Sequence, residues 1–175
     1  VENFAEKNIV VENLIEAVNS QADANEWPQE KADSYAVRAA EAMLNLARSR
    51  NRIINLSHAL QGLVDATGDS RKQIQLLSAA ILAYIDSPDA QRAVAAQALN
   101  EENDIEVRIN AFGALAISAK VNAGQLNDEQ IDAIYQIVAS RSADQQLRSA
   151  AAAAYGALNL PSRKVKDLIL DQART

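Results

Sequence analysis

Asp104-Ile-Glu-Val-Arg-Ile-Asn-Ala-Phe-Gly-Ala-Leu-Ala-Ile-Ser118 is the stretch whose reading decides the fold. It opens on an aspartate, carries an arginine four positions later, and continues as a run rich in alanine and large aliphatics. An acid at the first turn complements the positive end of a helix, and the run behind it has high helix propensity. Three other stretches repeat this plan: DSYAVRAAEAMLNLA from Asp33, DSRKQIQLLSAAILA from Asp69, and DQQLRSAAAAAYGAL from Asp144. The four aspartates fall 36, 35 and 40 residues apart, the period of a helical solenoid.

Composition agrees with an all-α chain. Of 175 residues, 35 are alanine, against five glycines, three prolines and seven aromatics. Alanine is the best helix former, and its small side chain lets helices approach closely. Apolar residues make up 49%, enough for a packed core. No stretch of about 18 uninterrupted apolar residues occurs, so no transmembrane helix is expected. Cysteine is absent, which excludes disulfides, thiolate metal sites and cysteine nucleophiles but leaves the compartment open. The chain starts on Val1 with no signal-peptide pattern behind it, and reads as a processed form or a piece of a longer protein.

The net charge of −6 is uneven: residues 1–34 carry −6, residues 35–140 carry −3, and residues 141–175 carry +3. Nucleic-acid binding rests on clustered Lys and Arg, so an acidic array predicts no nucleic-acid role. An acidic end facing a basic partner protein is the functional alternative to plain solubility.

Nine helical segments follow from periodicity and punctuation: 2–19, 32–49, 52–66, 70–85, 88–99, 104–120, 127–140, 144–158, and a ninth from Pro161-Ser162. Trp27-Pro28 breaks the first connection, and Thr67-Gly68 ends the third helix. Ser87-Pro88 starts the fifth, with serine as N-cap and proline at the first helical position. Short connections imply antiparallel pairs: 2–19 with 32–49, 52–66 with 70–85, 88–100 with 104–120, and 127–140 with 144–158. The ninth segment, with Val165, Leu168 and Ile169 facing inward, either caps the array or opens a pair completed further along.

The pattern Asp-x-x-Val/Leu-Arg-x-x-Ala, clearest at Asp104 to Leu115 and at Asp144 to Leu158, resembles the second helix of HEAT and HEAT-like repeats, the type also found in phycobilisome lyases. The resemblance is clearest over residues 69–170. It departs at Asp33 and Arg38, which sit five apart, and at Gln73, which stands where an arginine is expected, so the N-terminal pair (1–50) is divergent. It implies a right-handed α-solenoid of about four and a half repeats, forming one domain over 1–175. It also implies that Asp104, Arg108, Asp144 and Arg148 form a structural ladder between successive repeats.

The residues offer little chemistry. His58 is the one histidine; without cysteine it builds no ordinary zinc site, and no adjacent pattern marks a triad. Glu101-Glu102-Asn103-Asp104 and Asn127-Asp128-Glu129 lack the glycine and closing glutamate of a calcium loop and read as helix caps. Glycines 62, 68, 113, 124 and 156 are scattered, so no phosphate-cradling loop exists. Gly113 and Gly156 lie inside helices, where close helix approach would explain them. Arg48, Arg50 and Arg52 form the one compact basic cluster, suited either to a helix C-terminus or to gripping a phosphate or acidic peptide. No catalytic, cofactor or metal residue is therefore assigned. The expected function is a non-enzymatic protein-interaction scaffold. A docking or regulatory domain of a larger enzyme, and a bilin-lyase-like handler of small molecules, are the alternatives.

Overall fold

The computed structural model describes residues 2–20, 28–50 and 54–160, with side chains from residue 9 onward. These residues form eight α-helices and one 3-10 turn, and no strand. The helices are α1 (Glu2–Asn19), α2 (Gln29–Arg48), α3 (Leu60–Ala66), α4 (Lys72–Leu82), α5 (Pro88–Leu99), α6 (Ile105–Asn122), α7 (Asp128–Ala139) and α8 (Gln145–Ala157). The 3-10 turn, Leu56–Ala59, leads into α3. Among the described residues no helix is long and apolar enough to cross a membrane. Trp27, Arg52 and the ninth segment from Pro161 lie outside the described residues.

Most helix starts are set by short polar side chains that take the place of missing backbone acceptors. Ser87 accepts from the Asp89 N–H ahead of Pro88, Asp104 from the Glu106 N–H, and Asn127 from the Gln130 N–H. Asp144 accepts from both Gln146 and Leu147. Two starts differ from the sequence reading. Pro28 begins α2 five residues before Asp33, so that aspartate lies within the helix and caps nothing. Asp69 accepts from the Arg71 N–H, and α4 proper begins at Lys72. The third segment also differs: Asn55 accepts from Ser57 N–H, starting the 3-10 turn from which α3 continues.

Helix contacts follow a two-row order. Consecutive helices pair as α1 with α2, α3 with α4, α5 with α6, and α7 with α8. Even-numbered helices also touch in succession, α2 to α4 to α6 to α8, and odd-numbered helices do so from α1 to α3 to α5 to α7. A single apolar cluster runs through all of them, from Val11 and Val18 of α1 through Met43, Leu63, Ile74, Phe112 and Ile134 to Leu147 of α8. Phe112 is wholly buried, and a cavity left by its truncation would cost about 3–5 kcal/mol.

Buried amides stitch the rows. Gln91 donates from Nε2 to Ser118 Oγ (3.1 Å) and to the Ala123 carbonyl (2.9 Å), and its Oε1 accepts from the Gln125 N–H. Gln97 Nε2 donates to the carbonyls of Thr67 (3.0 Å) and Gln75 (3.2 Å). At the far end of α6, Asn122 Nδ2 donates to the carbonyls of Ala83 and Ile85, closing the end of α4. The bonds to Thr67, Ala83, Ile85, Ala123 and the Gln125 N–H satisfy groups at or beyond helix ends that have no partner inside a helix.

Candidate functional site

The even-numbered helices each leave one long face uncovered by the odd row. On α6 the exposed positions step by three or four: Glu106, Asn110, Gly113, Ile117 and Lys120. On α8 they are Gln145, Ser149, Ala152 and Gly156, and on α2 they are Ser34, Arg38, Glu41, Asn45 and Arg48. Between them α4 offers the half-buried Leu76 and Ala80, with Tyr84 in the turn just beyond its end. Helical geometry puts residues at this spacing on one face. Ile117, 41% exposed, is a large aliphatic on that surface.

The helical glycines belong to this face. Among the described residues, a Cβ built on Gly113 or on Gly156 would meet nothing within 4 Å. The expectation that these two permit close helix packing is therefore corrected. Close approach occurs elsewhere: a Cβ at Gly62 would fall 2.5 Å from Ile15 Cγ1, and one at Gly124 would fall 2.8 Å from the Leu158 carbonyl oxygen. An unfavourable residue inside a helix does not say which neighbour faces it, so spacing alone does not separate the two kinds of glycine.

A cavity of about 510 Å³ opens where α2, α4 and α6 end, within the size range of binding pockets. Its apolar wall includes Leu46 from α2, Ile54 and Leu56 from the following loop, Ile85 after α4, and Val121 from α6. Polar groups on it include Arg50, Asn55, Tyr84 and Asp86. Arg50 follows the end of α2 with φ of 47°, a left-handed conformation that costs a non-glycine side chain energy. Among the described residues no hydrogen bond or ion pair engages its guanidinium. Asp86 is partly engaged, since its Oδ1 accepts from Gln125 Nε2 at 2.7 Å. The last turns forming this mouth also carry exposed Arg48 and Lys120.

The repeat aspartates and their basic neighbours make a different network from the one the resemblance implies. Arg108 Nε donates to the Ala98 carbonyl at the end of α5, and Arg148 Nη1 to the Ser140 carbonyl at the end of α7. Both arginines thus close the helix paired with their own. The links between successive even helices are Arg71 to Asp33 (3.5 Å) and Lys72 to Asp104 (3.2 Å) and Glu106 (2.6 Å). The Glu106 backbone N–H, and then the Lys72 ammonium, hold the Asp104 carboxyl below its usual range. Arg71 donates to Asp69 and holds that carboxyl down in the same way, against the opposing effect of burial.

The remaining candidates are surface features. His58 is exposed on the 3-10 turn. Glu101 and Glu102 are exposed in the turn before α6, and Asp128 and Glu129 lie in the first turn of α7. Asn103 donates from Nδ2 to the Gln97 carbonyl. No family model, curated protein or solved structure matches this chain.

Proposed function

We propose that this chain is a non-enzymatic protein-interaction module, an α-solenoid of stacked antiparallel helix pairs similar to HEAT-like repeats, whose even-numbered helices form the partner-binding face. The order of helix contacts supports the stacking, since each helix touches its pair mate and its counterparts in neighbouring pairs. The observation that carries the binding role is the pair Gly113 and Gly156. Each weakens its helix by about 1 kcal/mol relative to alanine, and among the described residues neither has a packing neighbour to account for it. Together with Ile117, Ala152 and Ala153 they keep the middle of the α6 and α8 surfaces low and apolar within a polar face, open to close approach by another backbone.

The test uses the full natural chain to recover partners from its source. The variants Ile117→Arg and Ala153→Arg place charge on the even row, and Ala96→Arg, at an exposed position on α5, places it on the odd row. A stoichiometric partner lost from the first two variants and kept by the third is the expected result. Cross-links confined to other parts of the same parent chain would instead make this an intramolecular docking domain.

A further inference from the structure

We propose that the cavity at the ends of α2, α4 and α6 anchors an acidic segment of a partner protein, with a bulky apolar side chain in the cavity and a neighbouring Asp or Glu carboxylate on Arg50. This deepens the interaction-module reading and rests on it.

The chain as a whole carries −6, yet the cavity lining carries Arg50 beside Asp86, and the last turns of α2 and α6 that border it carry the exposed Arg48 and Lys120. One Asp86 oxygen already accepts from Gln125, which lessens its claim on Arg50. Among the described residues no hydrogen bond or ion pair engages the Arg50 guanidinium, and its planar donors match a carboxylate. A helix ending in the left-handed region is best served by glycine or asparagine, and an arginine occupies that position here, at φ of 47°. Strain retained at a cavity points to a use for the side chain.

Size and chemistry narrow the occupant. Leu56, Ile85 and Val121 give the cavity an apolar wall suited to a buried anchor. Its volume of about 510 Å³ accommodates a large side chain with adjoining backbone. Asn55 and Tyr84 supply uncharged polar groups within reach of peptide amides. A long polyanion such as nucleic acid would meet the surrounding negative charge, whereas a short acidic segment meets only the local cations.

A display library of random peptides is selected on the full chain, and the enriched peptides are then synthesised with capped ends. Their affinities are measured by fluorescence anisotropy for the wild type and for Arg50→Asn, alongside versions whose acids are replaced by the corresponding amides. Asparagine suits the left-handed backbone, so this variant should melt at a higher temperature while losing the guanidinium. Enrichment of Asp or Glu beside Leu, Ile, Phe or Trp is expected, with Arg50→Asn binding the acidic peptides about tenfold more weakly. The amide versions should bind both proteins alike. No enrichment, no acidic preference, or equal affinity for Arg50→Asn would overturn the proposal. If those results came with a natural partner still blocked by Ile117→Arg, only the cavity assignment would fail; a partner indifferent to every even-row variant would remove both readings.

Discussion

Arg71 grips Asp69 through two parallel bonds, Nε to Oδ1 at 2.9 Å and Nη2 to Oδ2 at 2.7 Å. The same guanidinium donates to the carbonyls of Val18 (2.9 Å) and Ser20 (3.1 Å) at the end of α1, and lies 3.5 Å from Asp33 of α2. One side chain thereby ties together α1, α2 and the entry to α4. Both partners are largely buried, at 14% and 8% side-chain exposure. Removing one member of such a pair leaves a carboxylate and two helix-end carbonyls without their donor.

Arg71→Met should therefore destabilise the protein by about 3 kcal/mol, read as a lower urea midpoint by circular dichroism. Lys72→Met is the comparison. Its partners Asp104 and Glu106 are exposed, so screening by water and salt makes that ion pair weak. Its midpoint should stay near that of the wild type. Equal losses from the two substitutions would contradict the assignment of Arg71 as the tie.

Acid should release the same contact. The Arg71 hydrogen bond lowers the Asp69 carboxyl below its ordinary value of 3.8. A carboxyl depressed in the folded state contributes its full stability above the unfolded value, and that stability is lost as pH falls through the folded value. Unfolding free energy should thus decline below about pH 4 more steeply in the wild type than in Asp69→Asn. Urea titrations across that range measure the difference; parallel curves would refute it.

Glycine substitutions should split by location. Gly113→Ala and Gly156→Ala place a methyl where no described residue lies within 4 Å and should each stabilise by about 1 kcal/mol through helix propensity. Gly62→Ala would press on Ile15 and Asn19 and should destabilise by about 1–2 kcal/mol. Thermal unfolding of the three variants gives the signs directly.

Ala123, at φ of 62° and ψ of 176° beyond the end of α6, occupies a conformation that is almost reserved for glycine. Its carbonyl is pinned by Gln91 Nε2. Ala123→Gly should raise stability by about 1 kcal/mol, and Gln91→Leu should lower it by leaving that carbonyl and the Gln125 N–H unpaired.

Local signals made much of the helix order legible. Ser87-Pro88, Asp104, Asn127 and Asp144 all act at helix starts because capping depends on side chains a few residues apart. Asp33 misled, since it shares the aspartate pattern while Pro28 begins the helix earlier. The charge network was less legible. Arg71 finds the end of α1 about fifty residues back, and no short spacing encodes that meeting. The cavity was hidden for the same reason: Leu46, Tyr84 and Val121 are brought together only when α2, α4 and α6 lie side by side. Arg50 was visible as part of a basic cluster, but its left-handed backbone and its place on the cavity wall required the fold.

The most direct test of the interaction face is photo-cross-linking from two positions of the full natural chain in its source extract. A photoreactive phenylalanine replaces Ile117, on the exposed face of α6, or Ala96, on the exposed side of α5. A recurrent stoichiometric adduct from position 117 and none from position 96 is the predicted result. The same adduct from both positions, or from position 96 alone, would contradict partner binding by the even-numbered helices.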